Sequence, residues 1–314
     1  MSGEAQDSAA RAVGDAATTG VGERGAAARG VGERGAAARA INPAHDALHA
    51  PDAARERWRE SYYFKFWDFN VGIGGDSTIG HRPSNGHSGS LNMIWGLELP
   101  TLVASEYDHA PAHDVPRPVA GLAYEQQAPF GAWRVRFEGR LNDGGSAPAC
   151  GSAAVAAAGS DRAVEAVPVS YDLLFEPDQP AYMYAERPEW DGLFDGHVDE
   201  VGRVTGVLTV GERTWQIDAR GCKDHSWGVR DWARPRGWRW ADMLFADGGP
   251  ELSLWRATFD GEQWLQDGAV YANGEARPLR AFTEHVTWAP RDRAPRPATW
   301  AFDLAAGGDV QAGE

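Results

Sequence analysis

VTGVLTVGERTWQIDARG, residues 204–221, decides the fold class. VTGVLTV (204–210) and RTWQIDARG (213–221) are short runs rich in β-branched and aromatic residues, each long enough for one strand. Gly211-Glu212 separates them, the length of a two-residue hairpin turn. The stretch therefore reads as a β-hairpin.

The same grammar continues outward. Upstream lie YYFKFWDF (62–69), SLNMIWGLEL (90–99), VAGLAYEQQ (119–127), WRVRFEGRL (133–141) and PVSYDLLFEP (168–177). Downstream lie WRWADMLFA (238–246), ELSLWRATF (251–259), QWLQDGAVYA (263–272), RAFTEHVTW (280–288) and WAFDL (300–304). Asp260-Gly261 and Asn273-Gly274 sit where two-residue turns belong. Only ACGSAAVAAAGSDRAVEAV admits a helix, and it reads equally as a loop. ARERWRESY reads as an amphipathic turn leading into the first strand, and GIGGDSTIG (72–80) as a long hairpin. The pattern predicts an all-β, mainly antiparallel chain of two consecutive lipocalin-like barrel or sandwich modules. Pro, Asp and Glu concentrate near 180–195, placing the modules at 55–190 and 191–314.

Residues 1–54 differ in kind. They are rich in Ala, Gly and Arg, and GVGERGAAAR at 20–29 recurs unchanged at 30–39. Such a segment lacks the apolar mass to offset chain entropy, which predicts a disordered tail. At the other end DVQAGE follows Gly307-Gly308 where a partner strand is expected, so a truncated second module is one reading.

A net charge of −15 argues against nucleic acid and anionic membrane surfaces as partners, since both are polyanions. No apolar run approaches a membrane span, which leaves peripheral contact open. MSGEAQDSAA is not a secretory signal; Cys150 and Cys222 have no metal-type spacing and could bridge, but a reducing compartment is the simpler reading of so few cysteines, and the two observations point to a cytoplasmic protein. Fourteen tryptophans imply either an aromatic core or an aromatic-lined cavity.

Directly after the hairpin comes GCKDHSWGVRDW, 221–232. It precedes WRWADMLFA and reads as a β–β connection. In extended chain, alternate side chains share a face. Lys223, His225 and Trp227 then point one way, and Asp224 and Ser226 the other. Gly228 permits a bend that brings Arg230, Asp231 and Trp232 back over the region. A carboxyl in an aromatic pocket gains proton affinity by desolvation, and tryptophan faces stabilise cations. That pairing suits protonation of an alkene. The same residues also suit a salt-bridged corner, with Asp224 and Asp231 paired to Lys223, Arg230 or Arg234. DHAPAHD (108–114) offers His109, His113, Asp108 and Asp114 as metal donors, but its prolines favour a solvated loop.

D-H-S-W-G-V-R-D-W (224–232) resembles a motif of lipocalin-like proteins related to carotenoid 1,2-hydratase. FDGHVDEVGRVTGVLTVGERTWQIDARG and YYFKFWDFNVGIGG resemble that family's strand regions too. The resemblance is sharp over 194–232 and diffuse elsewhere from 58 onward. It implies two β modules enclosing an apolar cavity, with His225 and Trp227 at functional positions and Asp224 beside them. It also implies acid-initiated hydration, isomerisation or cyclisation of an apolar isoprenoid-like ligand, without redox cofactor or metal. Ser226 stands where the hydratases carry Asn. Their Tyr-x-Asp element has only Trp240-x-Asp242 and Phe245-x-Asp247 as counterparts. The expected site is Asp224 as acid, His225 and Asp231 beside it, and Trp227, Trp232, Trp240 and Arg230 around the substrate. The rival expectation is a non-catalytic carrier of an apolar small molecule.

Overall fold

The computed structural model describes residues 41–50, 55–108, 118–143, 166–246, 248–289 and 296–306. The first ten strands are β1 (Trp58–Asp68), β2 (Ile73–Arg82), β3 (His87–Gly96), β4 (Leu99–Asp108), β5 (Leu122–Gln126), β6 (Trp133–Asp143), β7 (Val167–Pro177), β8 (Tyr182–Met183), β9 (Gly196–Val210) and β10 (Arg213–Val229). The last five are β11 (Gly237–Met243), β12 (Glu251–Thr258), β13 (Leu265–Ala272), β14 (Glu275–Ala289) and β15 (Arg296–Ala306). The described residues contain short 3-10 helices and no α-helix, as the all-β pattern predicts. None of those helices is long and apolar enough to cross a membrane.

In the first sheet the order is β10-β1-β2-β3-β4-β6-β7-β9, and β9 pairs back to β10. Eight antiparallel strands thus close a ring, which removes free edges. β5 adds to β6, and β8 to β9. Alternation along β1 turns Trp58, Glu60, Tyr62, Phe64, Phe66 and Asp68 to one buried face. Tyr62, Phe64 and Phe66 meet Trp133, Phe137, Tyr171, Phe175 and the aliphatic residues of β9 and β10 in one core. That core leaves a cavity of only about 20 Å³, room for roughly one water. The barrel interior is filled.

The second sheet runs β11-β12-β13-β14-β15. Its Trp255, Ala257, Ala269 and Tyr271 pack with Tyr182, Tyr184, Val201 and Cys222 on the outer side of the barrel wall. Sheet membership changes between Val229 and Gly237, downstream of the compositional break at 180–195.

Several expectations need correction. GCKDHSWGVRDW is not a connection: β10 runs through it to Val229, because β1 and β9 pair with it on both sides. GIGGDSTIG lies almost wholly on β2, where Gly74 and Gly75 admit the rings of Trp67, Trp95 and Phe66. ARERWRESY is largely strand, since β1 starts at Trp58 with Glu60 fully buried. SLNMIWGLEL divides between β3 and β4. Two-residue turns occur at Gly211-Glu212 and Asn273-Gly274, whereas Asp260-Gly261 sits in the longer 259–264 connection, where Asp260 accepts from the backbone N–H groups of Glu262 and Gln263 and from the Thr258 hydroxyl. Folded structure also precedes residue 55: Pro43–Asp46 form a 3-10 helix capped by Asn42, and Asp46 is buried. The duplicated decapeptide, His109, His113, Asp114, Cys150, most of the Ala-rich run and DVQAGE lie outside the described residues.

Candidate active site

The shared wall of β2, β1, β10 and β9 has two faces with different chemistry. Strand register lays its outer face out in rows. Thr78, Tyr63, Asp224 and Asp199 form one row; Gly80, Ser61, Ser226 and His197 form the next. The second row is nearly all small, so the aromatic side chains of the second sheet cannot fill the space above it. A cavity of about 140 Å³ results, lined by Thr78, Tyr63 and Asp224 of the first row, by Ser61, Ser226 and His197 of the second, by Arg59, Arg230, Leu193 and Phe194, and by Trp232, Trp238, Trp240 and Trp255. The aromatic rings are in mutual contact: Trp238 stacks on Trp255 with centroids 6.2 Å apart, Trp232 lies 5.3 Å from Trp238, and Tyr63 meets Trp240 edge-on at 4.7 Å.

Asp224 lines this cavity, and its Oδ1 is buried without a hydrogen-bond partner. Burial, opposed by His197 and reinforced by Asp199, pushes its carboxyl up to about 6. His197 Nε2 lies 2.9 Å from Asp199 Oδ1 and 3.5 Å from Asp224 Oδ2. Burial alone would lower that imidazole, but Asp224 and Asp199 outweigh it and raise it above its ordinary value. Burial would likewise raise Asp199, but His197 and hydrogen bonds from Ser253 Oγ (2.5 Å) and Tyr184 O–H (2.7 Å) hold it below the usual carboxylate range. The arrangement is an Asp199–His197 ion pair next to a carboxyl whose proton affinity is raised to about 6, so that it is half protonated in mildly acidic solution.

His225 points the other way, as strand alternation requires. Its Nδ1 lies 2.8 Å from the His45 carbonyl and its Nε2 2.8 Å from Glu60 Oε1. Burial holds the imidazole below its ordinary value despite Glu60. Tyr62 stacks on the His225 ring at 4.0 Å, and Trp227 stacks on His49 at 3.8 Å. Lys223, on the same face, donates to Asp46 and Glu200, and all three are buried. This face knits Pro43–Asp46 to the barrel end.

Of the residues read from sequence, Asp224, Arg230, Trp232 and Trp240 line the cavity. His225 and Trp227 lie on the opposite face. Asp231 pairs with the exposed Arg57 at 2.9 Å and does not line the cavity. Asp242 of the Trp240-x-Asp242 pair binds Lys65, whose ammonium sits 3.4 Å from the Trp240 ring centroid. Sequence reasoning passed over His197, Asp199, Arg59, Trp238 and Trp255. The H-V-D alternation of 197–199 was a usable signal, since it puts His197 and Asp199 on one strand face; that they face Asp224 needs the β9–β10 register. Among the described residues, two trios converge closely enough to hold a metal ion: His49, Glu60 and His225, and His197, Asp199 and Asp224.

No curated protein matches the chain by sequence. Among solved structures, an AttH candidate from Nitrosomonas europaea superposes with a TM-score of 0.53 at 11% identity, covering 82% of this chain and 81% of that one. Kievitone hydratase from Nectria haematococca gives 0.49 at 12% identity, covering 88% and 80%. CghA gives 0.47 at 7% identity, covering 81% and 73%. The first likeness is one of fold, a lipocalin-like β architecture. A family model described as "Domain of unknown function (DUF7064)" matches residues 42–312, and the chain belongs to that family.

Proposed function

We propose that the protein is an enzyme that protonates a carbon–carbon double bond of an isoprenoid-like substrate, leading to hydration, isomerisation or cyclisation. The observation that carries this reading is the Asp224 carboxyl: buried, raised to about 6, with one oxygen unpartnered in a cavity walled by four tryptophans. A carboxylic acid whose proton affinity is raised by a desolvated site is the proton donor such a reaction needs. Asp224 transfers its proton to the less substituted alkene carbon. The tertiary cation formed lies against tryptophan faces, each worth about 0.5–2 kcal/mol to a desolvated cation. In hydration, water adds to the cation and sheds a proton, which the Asp224 carboxylate left by the first step takes back while the His197 charge beside it stabilises that carboxylate. In isomerisation or cyclisation the cation itself loses the proton. Asp199, itself held by hydrogen bonds from Ser253 and Tyr184, fixes the orientation of His197. A cavity of about 140 Å³ is close to one that accommodates benzene, about 150 Å³, so it suits a reacting unit of a few carbons.

The test is turnover of a panel of short isoprenoid alkenes by purified protein, followed by mass spectrometry for isomerised products and for products heavier by one water. Wild type is expected to convert at least one substrate, and Asp224→Asn to lose about 10²–10⁴-fold of the rate. Equal turnover by Asp224→Asn would remove Asp224 from the mechanism. Binding of the panel by both proteins with turnover by neither would establish the carrier reading instead.

A further inference from the structure

The cavity is not uniformly apolar. Arg59 and Arg230 both line it, and Arg230 is almost fully buried. Among the described residues Arg59 makes no hydrogen bond or ion pair, and its Nε is buried without a partner. Arg230 donates to the Leu193 carbonyl and has no ion pair among the described residues. The nearby carboxylates are otherwise engaged. Asp195 holds Arg55 through both oxygens, Glu60 serves His49 and His225 on the opposite face, and Asp224 makes its close contact with His197. Burial lowers Arg230 to about 9, and Arg59 adds to that shift. Burial lowers Arg59 to about 10, with Arg82 contributing in the same sense. Two guanidiniums thus share a partly desolvated site in which Asp224 attracts both from a distance, but neither has a carboxylate in direct ion-pair contact among the described residues.

The wall is shaped to place one of them. A Cβ on Gly80 would lie only 2.6 Å from two Arg59 guanidinium nitrogens. The Arg59 head therefore lies flat on the Gly80 backbone, in the row of Ser61 and Ser226. That row is two residues, or about 7 Å, along the strands from the Asp224 row.

We propose that the cavity binds a short amphiphile whose oxyanion head, a carboxylate or a phosphate, pairs with Arg59 and Arg230 while its unsaturated chain lies against the tryptophans beside Asp224. The inference rests on the reading of Asp224 as the proton donor and adds the substrate class. Guanidinium forks match the geometry of both head groups. The 7 Å offset separates head and reacting bond by a few carbons, so the ligand is a compact acid or phosphate ester and not a long hydrocarbon.

The experiment is calorimetric titration of the full chain with three probes sharing one C10 chain: geranic acid, geranyl phosphate and geraniol. At least one anionic probe is expected to bind tenfold or more tightly than geraniol, and the tighter of the two identifies the head group. Arg59→Gln and Arg230→Gln are expected to erase that preference while leaving geraniol binding within about threefold, and Arg59→Lys to restore part of it. Should either variant fail to fold, wild type alone remains decisive: the anionic preference must shrink as salt is raised. Equal binding of all three probes by wild type would overturn the proposal. An anionic preference that survives both Gln substitutions would overturn it too. Turnover of geraniol alone would sink the head-group inference and leave Asp224 catalysis standing. Arginine-dependent binding of an acid with no turnover would do the reverse.

Discussion

Asp224 and His225 are adjacent in sequence and sit on opposite faces of β10, so substitutions at the two positions report on different properties. Asp224→Asn removes a carboxyl whose Oδ1 has no partner, and it is expected to abolish turnover while leaving the melting temperature close to wild type. Lys223→Met on the His225 face strands Asp46 and Glu200 as buried carboxylates, and a loss of about 3–5 kcal/mol is expected in denaturant titration. His197→Gln acts on pH dependence. His197 and Arg230 lower Asp224, while burial and Asp199 raise it. Wild-type activity needs protonated Asp224 and is expected to fall as pH rises through about 6. Without the His197 charge the carboxyl rises further, so the falling limb moves to higher pH. A limb that stays in place in His197→Gln would show that another group controls it.

At the scale of elements, β10 carries the site because one strand forms both the barrel wall and the cavity floor. Its end is set by Gly228, whose φ of +121° suits glycine and whose Cβ would meet Asp195 N at 2.4 Å. Gly228→Ala is expected to cost about 1–3 kcal/mol and to displace Arg230 and Trp232 from the cavity, read as weakened ligand binding. The hairpin 204–221 was legible because alternation and a two-residue turn are local signals, and the same alternation correctly split Asp224 from Lys223, His225 and Trp227. The partners of Asp224 were not legible. His197 and Asp199 reach it through the β9–β10 register, and Trp255 through packing of the second sheet. Asp231 misled because a carboxylate next to an arginine in sequence looks the same whether it lines a cavity or pairs with Arg57 at the surface.

For the whole molecule, buried titratable groups set a pH dependence of stability. Asp76 and Glu200 are each raised to about 7, chiefly by burial, from ordinary values of 3.8 and 4.5. The folded state therefore holds their protons more tightly. Their stabilising contribution is complete below the ordinary values and is lost as pH rises through about 7. His225, lowered by burial, opposes this trend. The melting temperature is expected to be higher at pH 5 than at pH 8, and Asp76→Asn combined with Glu200→Gln to flatten the difference. We also expect the two sheets to be inseparable in practice. Ending the chain after Arg236 would expose Tyr182, Tyr184, Val201 and Cys222, and the product should aggregate or bind hydrophobic dye strongly. The central claim is proton transfer from Asp224 to carbon, and its most direct measurement is turnover of a short isoprenoid substrate in D₂O followed by mass spectrometry. Hydration, isomerisation and cyclisation all begin with that step, so each should leave one non-exchangeable deuterium on carbon in the wild-type product, with no product from Asp224→Asn. A product without carbon-bound deuterium, or the same deuterated product from Asp224→Asn, would contradict it.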